Sequence, residues 1–80
     1  MTIEARLAQF VSAELLDGSQ TVEPADRLLA EGLVDSLGMM RLVGFIGDTY
    51  RVEVPPQDIV LANFSTIERI ATYLRERGIG

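Results

Sequence analysis

The most concentrated chemistry in the chain lies in two neighbouring side chains, Asp35 and Ser36. They sit in Gly32-Leu33-Val34-Asp35-Ser36-Leu37, where an irregular acidic stretch gives way to helical periodicity, so Ser36 falls at the positive end of a helix dipole. The first backbone amides of a helix lack intrahelical partners and favour an anion, which makes a phosphodiester on the Ser36 hydroxyl well placed. An Asp-Ser pair at a helix start also serves simply as a cap, whose loss costs about 1 kcal/mol. Composition and spacing leave both roles open. Nucleophilic catalysis by Ser36 itself is disfavoured, because the sequence has no His and no Cys. Those absences remove the commonest general base, the commonest zinc ligand, thiolate metal sites and disulfides. Glu53 and Asp58 straddle Pro55-Pro56 and read as solvated charges rather than an acid and base pair. The acids from Asp17 to Asp35 lack the spacing of a calcium loop, so no metal is expected.

The elements that must position Ser36 are helical. From Ile3 to Leu16 the apolar residues Ile3, Leu7, Phe10, Val11 and Leu15 recur at helical spacing, with Thr2 as cap and Gly18 as terminator. Asp17 to Asp35 shows no sustained period and is a long loop, which Leu28, Leu29 and Leu33 are expected to pin to the core. Ser36 to Tyr50 reads as a second helix, capped by Asp35 or Ser36, with Met39, Val43, Ile46 and Tyr50 as its buried stripe. Arg51-Val52-Glu53-Val54 is an extended connector, and Pro56 opens a short helix reaching Leu61 or Ala62. Ser65-Thr66-Ile67-Glu68 matches a capping box and starts the last helix, whose stripe is Ile67, Ile70, Ala71 and Leu74 and whose end is Gly78. The fold class is all-α: a small four-helix bundle, three main helices plus a short third, with a long first loop.

Eighty residues make one domain, residues 1–80, and 48% hydrophobic residues without Trp give a mainly aliphatic core. Twelve acids against seven basic residues give a net charge of -5, which disfavours nucleic acid and favours basic protein surfaces as partners. Asp17, Glu23, Asp26, Glu31 and Asp35 concentrate that charge on the approach to Ser36, where Arg27 is the sole counterweight. All the basic residues are Arg and none is Lys, a bias nothing in the sequence explains. No apolar run has the ~18 to 20 residues of a membrane span, and Met1-Thr2-Ile3-Glu4 lacks the basic start of a signal peptide. A cytoplasmic protein with no membrane partner is therefore expected.

The stretch Leu28-Leu29-Ala30-Glu31-Gly32-Leu33-Val34-Asp35-Ser36-Leu37-Gly38 resembles the phosphopantetheine attachment region of acyl and peptidyl carrier proteins, centred on Asp-Ser-Leu. Its position, mid-chain in a small acidic protein and at a helix start, strengthens the match. So do Tyr50-Arg51-Val52-Glu53-Val54-Pro55 and Phe64-Ser65-Thr66-Ile67. The resemblance runs from about residue 3 to 75 and implies a freestanding carrier without catalytic activity. It implies a covalent 4'-phosphopantetheine on Ser36, transferred from coenzyme A by a phosphopantetheinyl transferase that recognises Asp35 and Leu37. Cargo would ride as a thioester on the arm's terminal thiol, so a protein without cysteine can carry thioesters. Tethering raises the cargo's effective concentration at each enzyme visited.

Taking Val43 as core-facing, rotation of about 100° per residue places Leu37, Met40, Arg41, Gly44, Gly47 and Asp48 on a connected outer face of the second helix. In the family this face docks with partner enzymes. Fatty-acid carriers usually have acids where this chain has Arg41 and Gly47, so the face looks more like that of a polyketide or nonribosomal peptide carrier. The expected partners are then an adenylating or acyltransferase loading enzyme and a downstream synthase or transferase, visited by a monomer. A fatty-acid-synthesis carrier, and a cofactor-free helical interaction module in which Ser36 only caps a helix, remain alternatives.

Overall fold

The computed structural model describes residues 1–79 and contains four α-helices among them, with no strand. Helix α1 spans Ile3–Phe10, and the Thr2 hydroxyl caps it by accepting from the Ala5 amide at 3.0 Å. The first helix was expected to run uninterrupted to Leu16; instead it widens into a π turn over Val11–Leu15. There the Leu16 amide donates to the Val11 carbonyl at 3.0 Å, five residues back. The wider turn packs both Leu15 and Leu16 against the core, and the chain then leaves through left-handed Asp17 and Gly18 (φ 53° and 72°). Glycine takes such a φ without a β-carbon clash.

The long loop is held by Val22, Leu28 and Val34, all buried, and by backbone bonds to the start of the last helix. The Leu28 amide donates to the Ser65 carbonyl and the Glu68 amide to the Pro24 carbonyl, both at 3.0 Å. The expectation of three leucine pins is corrected: Leu28 is fully buried, Leu33 is half-buried and Leu29 is exposed. Leu29 follows Leu28 in a turn and so faces away from the core.

Helix α2 spans Ser36–Tyr50, as the periodicity indicates. Its core stripe is Met39, Leu42 and Ile46, while Val43 and Tyr50 are only half-buried. Met39 and Ile46 are buried as expected, whereas Leu42 takes the inner place expected for Val43, and Gly47 lies at the edge of the buried face. After left-handed Arg51 the connector is extended without pairing, as expected. Pro56 opens only a 3₁₀ turn, Pro56–Asp58, and the short helix α3 follows separately at Leu61–Phe64. The expected single helix from Pro56 is interrupted because the Asp58 carbonyl accepts from the Asn63 side chain and Val60 is extended.

Helix α4 spans Ile67–Glu76 and buries Ile67, Ile70, Ala71 and Leu74, the expected stripe, together with Tyr73. The capping box at Ser65 does not form. Ser65 is itself helical, and Thr66 caps instead, its hydroxyl accepting from the Arg69 amide at 3.0 Å. Gly78 ends the helix at φ 89°, with the Ile79 amide donating to the Leu74 carbonyl. Glu4 and Arg75 join α1 to α4 through two contacts of 2.7 Å, and this pairing holds the Glu4 carboxyl below its ordinary pKa.

Asp58 is not the solvated charge the sequence indicated. It accepts from the Tyr73 hydroxyl at 2.6 Å and pairs with Arg77 at 3.2 Å, fastening the 3₁₀ turn to the end of α4. Burial, then the bond to Asp58, pushes the Tyr73 phenol above its ordinary pKa. A phenol raised in the folded state contributes stability below its unfolded value of about 10, and that contribution is lost as pH rises through the folded value. Tyr73→Phe is expected to cost about 1 kcal/mol at neutral pH and to flatten the alkaline fall in stability. Urea unfolding at pH 7 and pH 11 reads both; an unchanged alkaline slope would assign the fall to other groups.

Candidate functional site

The site begins with the cap of α2. Asp35 is extended (φ -91°, ψ -178°), and its Oδ1 accepts from the Gly38 amide at 2.7 Å. Its carbonyl accepts from the Met39 amide at 2.8 Å, closing the first turn. Between the sequence's two cap candidates the structure therefore selects Asp35. Ser36 occupies the first helical position and is exposed, and the capping bond goes to the third amide. The Ser36 and Leu37 amides lie in the first turn, where backbone donors have no partner within the helix.

Gly38 is a site residue that the sequence did not single out. It is buried, and a β-carbon there would lie 3.0 Å from Val34 Cγ1 and 3.2 Å from the capping Asp35 Oδ1. Its small size lets Val34 and the cap carboxylate close over the same turn. The available signal was a glycine three residues after a capping aspartate, the position whose amide the cap takes. Gly38→Val is expected to cost about 1 to 3 kcal/mol by overpacking and to loosen the Asp35 cap. Thermal unfolding checks the cost, and a wild-type melting temperature would show that Val34 yields freely.

Beside this turn lies an open cleft of about 280 Å³. Leu15, delivered by the π turn, and Leu33, from the loop, contribute apolar walls; Val34 and Gly38 line it as well. Asp35 and Arg41 supply its opposite charges, and Leu37 borders it. Gly32, left-handed at φ 72°, makes the turn that brings Leu33 to this place. Among the described residues there is no cluster of acids that would hold a metal ion.

On the rest of α2, Leu37 is 72% and Met40 53% exposed, large values for apolar side chains. Arg41, Gly44 and Asp48 are also exposed, so most of the expected outer face lies outside the core. Gly47 differs. It is half-buried, and a β-carbon there would lie 3.3 Å from the Val52 carbonyl, so its size is accounted for within the fold. Gly44 has open space around it. Helix α3 adds exposed Leu61, preceded by exposed Val60, apolar surface that the sequence reading did not mark.

The structure is thus an all-α domain that exposes a serine at the first position of a helix, where a covalently attached anion would meet backbone amides that have no partner within the helix. A family model described as phosphopantetheine attachment site matches residues 5–74, nearly the whole chain, and the chain belongs to that family. It is a carrier protein bearing a covalent 4'-phosphopantetheine, modified by a phosphopantetheinyl transferase and without catalytic activity of its own. No curated protein matches the chain. Among the described residues, no helix is long and apolar enough to cross a membrane.

Proposed function

We propose that the Ser36 hydroxyl is the attachment point and that the carrier serves a specialised assembly line of the polyketide or nonribosomal peptide kind. One observation supports the attachment most directly: Asp35 caps α2, so Ser36 is exposed at the first helical position and its hydroxyl is not spent on the cap. This also weakens the reading of Ser36 as a mere helix cap in a cofactor-free module. The residues fit the group. The positive end of α2 favours a phosphodiester, and the exposure of Ser36 leaves its hydroxyl open to one. When attached, the arm supplies a thiol that holds cargo as a thioester. Asp35 fixes the helix start and Leu37 offers an exposed apolar contact, which together present Ser36 to the transferase. With no Lys, Cys or His in the chain, its side chains offer a neighbouring thioester no amine, thiol or imidazole acceptor.

The assembly-line reading rests on the outer face of α2. Leu37 and Met40 make it apolar, and Arg41 makes part of it basic, in an otherwise acidic chain. Such a face suits a loading enzyme of the adenylating or acyltransferase type and a downstream synthase or transferase, visited in turn by a monomeric carrier. Mass spectrometry of the loaded protein from its native host tests this reading. An aminoacyl or short acyl unit supports it, whereas a long fatty acyl chain as the sole cargo would make the protein a fatty-acid-synthesis carrier.

Gly44 gives a second test. An exposed mid-helix glycine costs about 1 kcal/mol relative to Ala, and a side chain there meets nothing. Gly44→Leu is expected to raise thermal stability, leave modification by the transferase unchanged and lower turnover with the cognate partner several-fold. Unchanged turnover would remove this part of α2 from the docking surface. Gly47 is unsuitable for the same test, because its substitution pushes on the Val52 carbonyl.

A further inference from the structure

We infer that the cleft between the π turn, the long loop and the start of α2 holds the phosphate-proximal part of the arm: Leu15 and Leu33 take its geminal methyl groups and Arg41 faces its phosphodiester. The inference rests on attachment at Ser36. Asp35 and Leu37, the residues on either side of Ser36, line the cleft; Ser36 itself does not, so a group on its hydroxyl would fold back into the cleft from outside. A group tethered there reaches it at high effective concentration. Its volume, about 280 Å³, lies just below the range of small-molecule sites, ~300 to 1,000 Å³, so it suits a part of the arm rather than arm and cargo together.

The chemistry of the lining matches the order of groups along the arm. First from the serine comes an anion, and Arg41 is the basic residue among those lining the cleft. The acid there, Asp35, has one carboxylate oxygen engaged by the Gly38 amide. Next comes a quaternary carbon bearing two methyl groups, and Leu15 and Leu33 offer apolar wall for it. Leu15 reaches this place through the π turn and packs toward α2, where a β-carbon on Gly38 would lie 3.8 Å from its Cδ1. The wider turn at the end of α1 thereby acquires a role: it supplies a cleft wall.

The test uses the full chain, isotopically labelled, modified by a transferase with unlabelled coenzyme A and verified by intact mass. Filtered nuclear Overhauser spectra are expected to connect the arm's geminal methyls to Leu15 and Leu33. Amide shifts between the unmodified and modified protein should cluster at Leu15, Gly32, Leu33 and Arg41 rather than at Val60 and Leu61. Arg41→Gln should move the phosphorus resonance, and Leu33→Ser should abolish the Overhauser contacts without preventing modification. Contacts to Val60 and Leu61 instead, or none, would overturn the inference while leaving attachment at Ser36 intact. An unmoved phosphorus resonance in Arg41→Gln would overturn the pairing with Arg41. A mass spectrum placing no arm on Ser36 would overturn the attachment reading and, with it, this one.

Discussion

Ser36→Ala is expected to abolish modification completely. Incubated with a promiscuous phosphopantetheinyl transferase and coenzyme A, the natural chain should gain the mass of one phosphopantetheine and the variant none. The effect is all-or-none because the bond is made to an oxygen that alanine lacks. The fold should not suffer, since Ser36 is exposed and the cap belongs to Asp35. Surface changes of this kind stay within about 0.5 kcal/mol, whereas Asp35→Ala, which removes the cap, should cost about 1 kcal/mol. The pair of variants separates the two roles that an Asp-Ser sequence leaves open. If Ser36→Ala still gains the arm, another hydroxyl is the attachment point. If it unfolds, Ser36 has a structural part that its exposure does not suggest.

Leu28→Ala should produce the largest loss of stability among changes in the loop. Leu28 is fully buried, and its amide and carbonyl engage Ser65 and Val34, so one residue joins the loop to the end of α3 and to the approach to Ser36. Truncating a buried leucine costs about 2 to 5 kcal/mol through lost burial and the cavity left behind. Against a total stability of roughly 5 to 15 kcal/mol for a small domain, that is a large share. A fall in the urea midpoint checks the magnitude. Hydrogen exchange at the Val34 amide checks the mechanism, because this amide donates to the Leu28 carbonyl and should lose protection with the side chain. A cost below about 1 kcal/mol with unchanged Val34 exchange would show that backbone bonds alone hold the loop.

Much of this was legible where one strong local pattern governs. Helix α2 and the buried stripe of α4 follow from apolar spacing, and Asp35-Ser36-Leu37 marked the candidate site before any geometry. What was not legible depends on contacts between distant segments. The cap of α4 passes from Ser65 to Thr66 while the Ser65 carbonyl accepts from Leu28, a residue of the loop. The interruption after Pro56 accompanies Asp58 bonding Tyr73, fifteen residues away. The π turn leaves no trace in the spacing of Val11 and Leu15, which suits an α-helix equally well. In α2 the spacing pointed to Met39 and Ile46, but the sequence is apolar on more than one side, and only packing decides that Leu42 goes inside while Val43 and Tyr50 stay at the margin. Gly38 was passed over because its importance lies in the atoms around it.

Glu4 stands near the start of the chain and Arg75 near its end, and their forked contact brings the first and last helices together at that point. Mechanically, the domain is a closed clasp. A pull applied at both ends would first prise Glu4 from Arg75 and peel α1 away from α4, opening the molecule like a zip instead of shearing it.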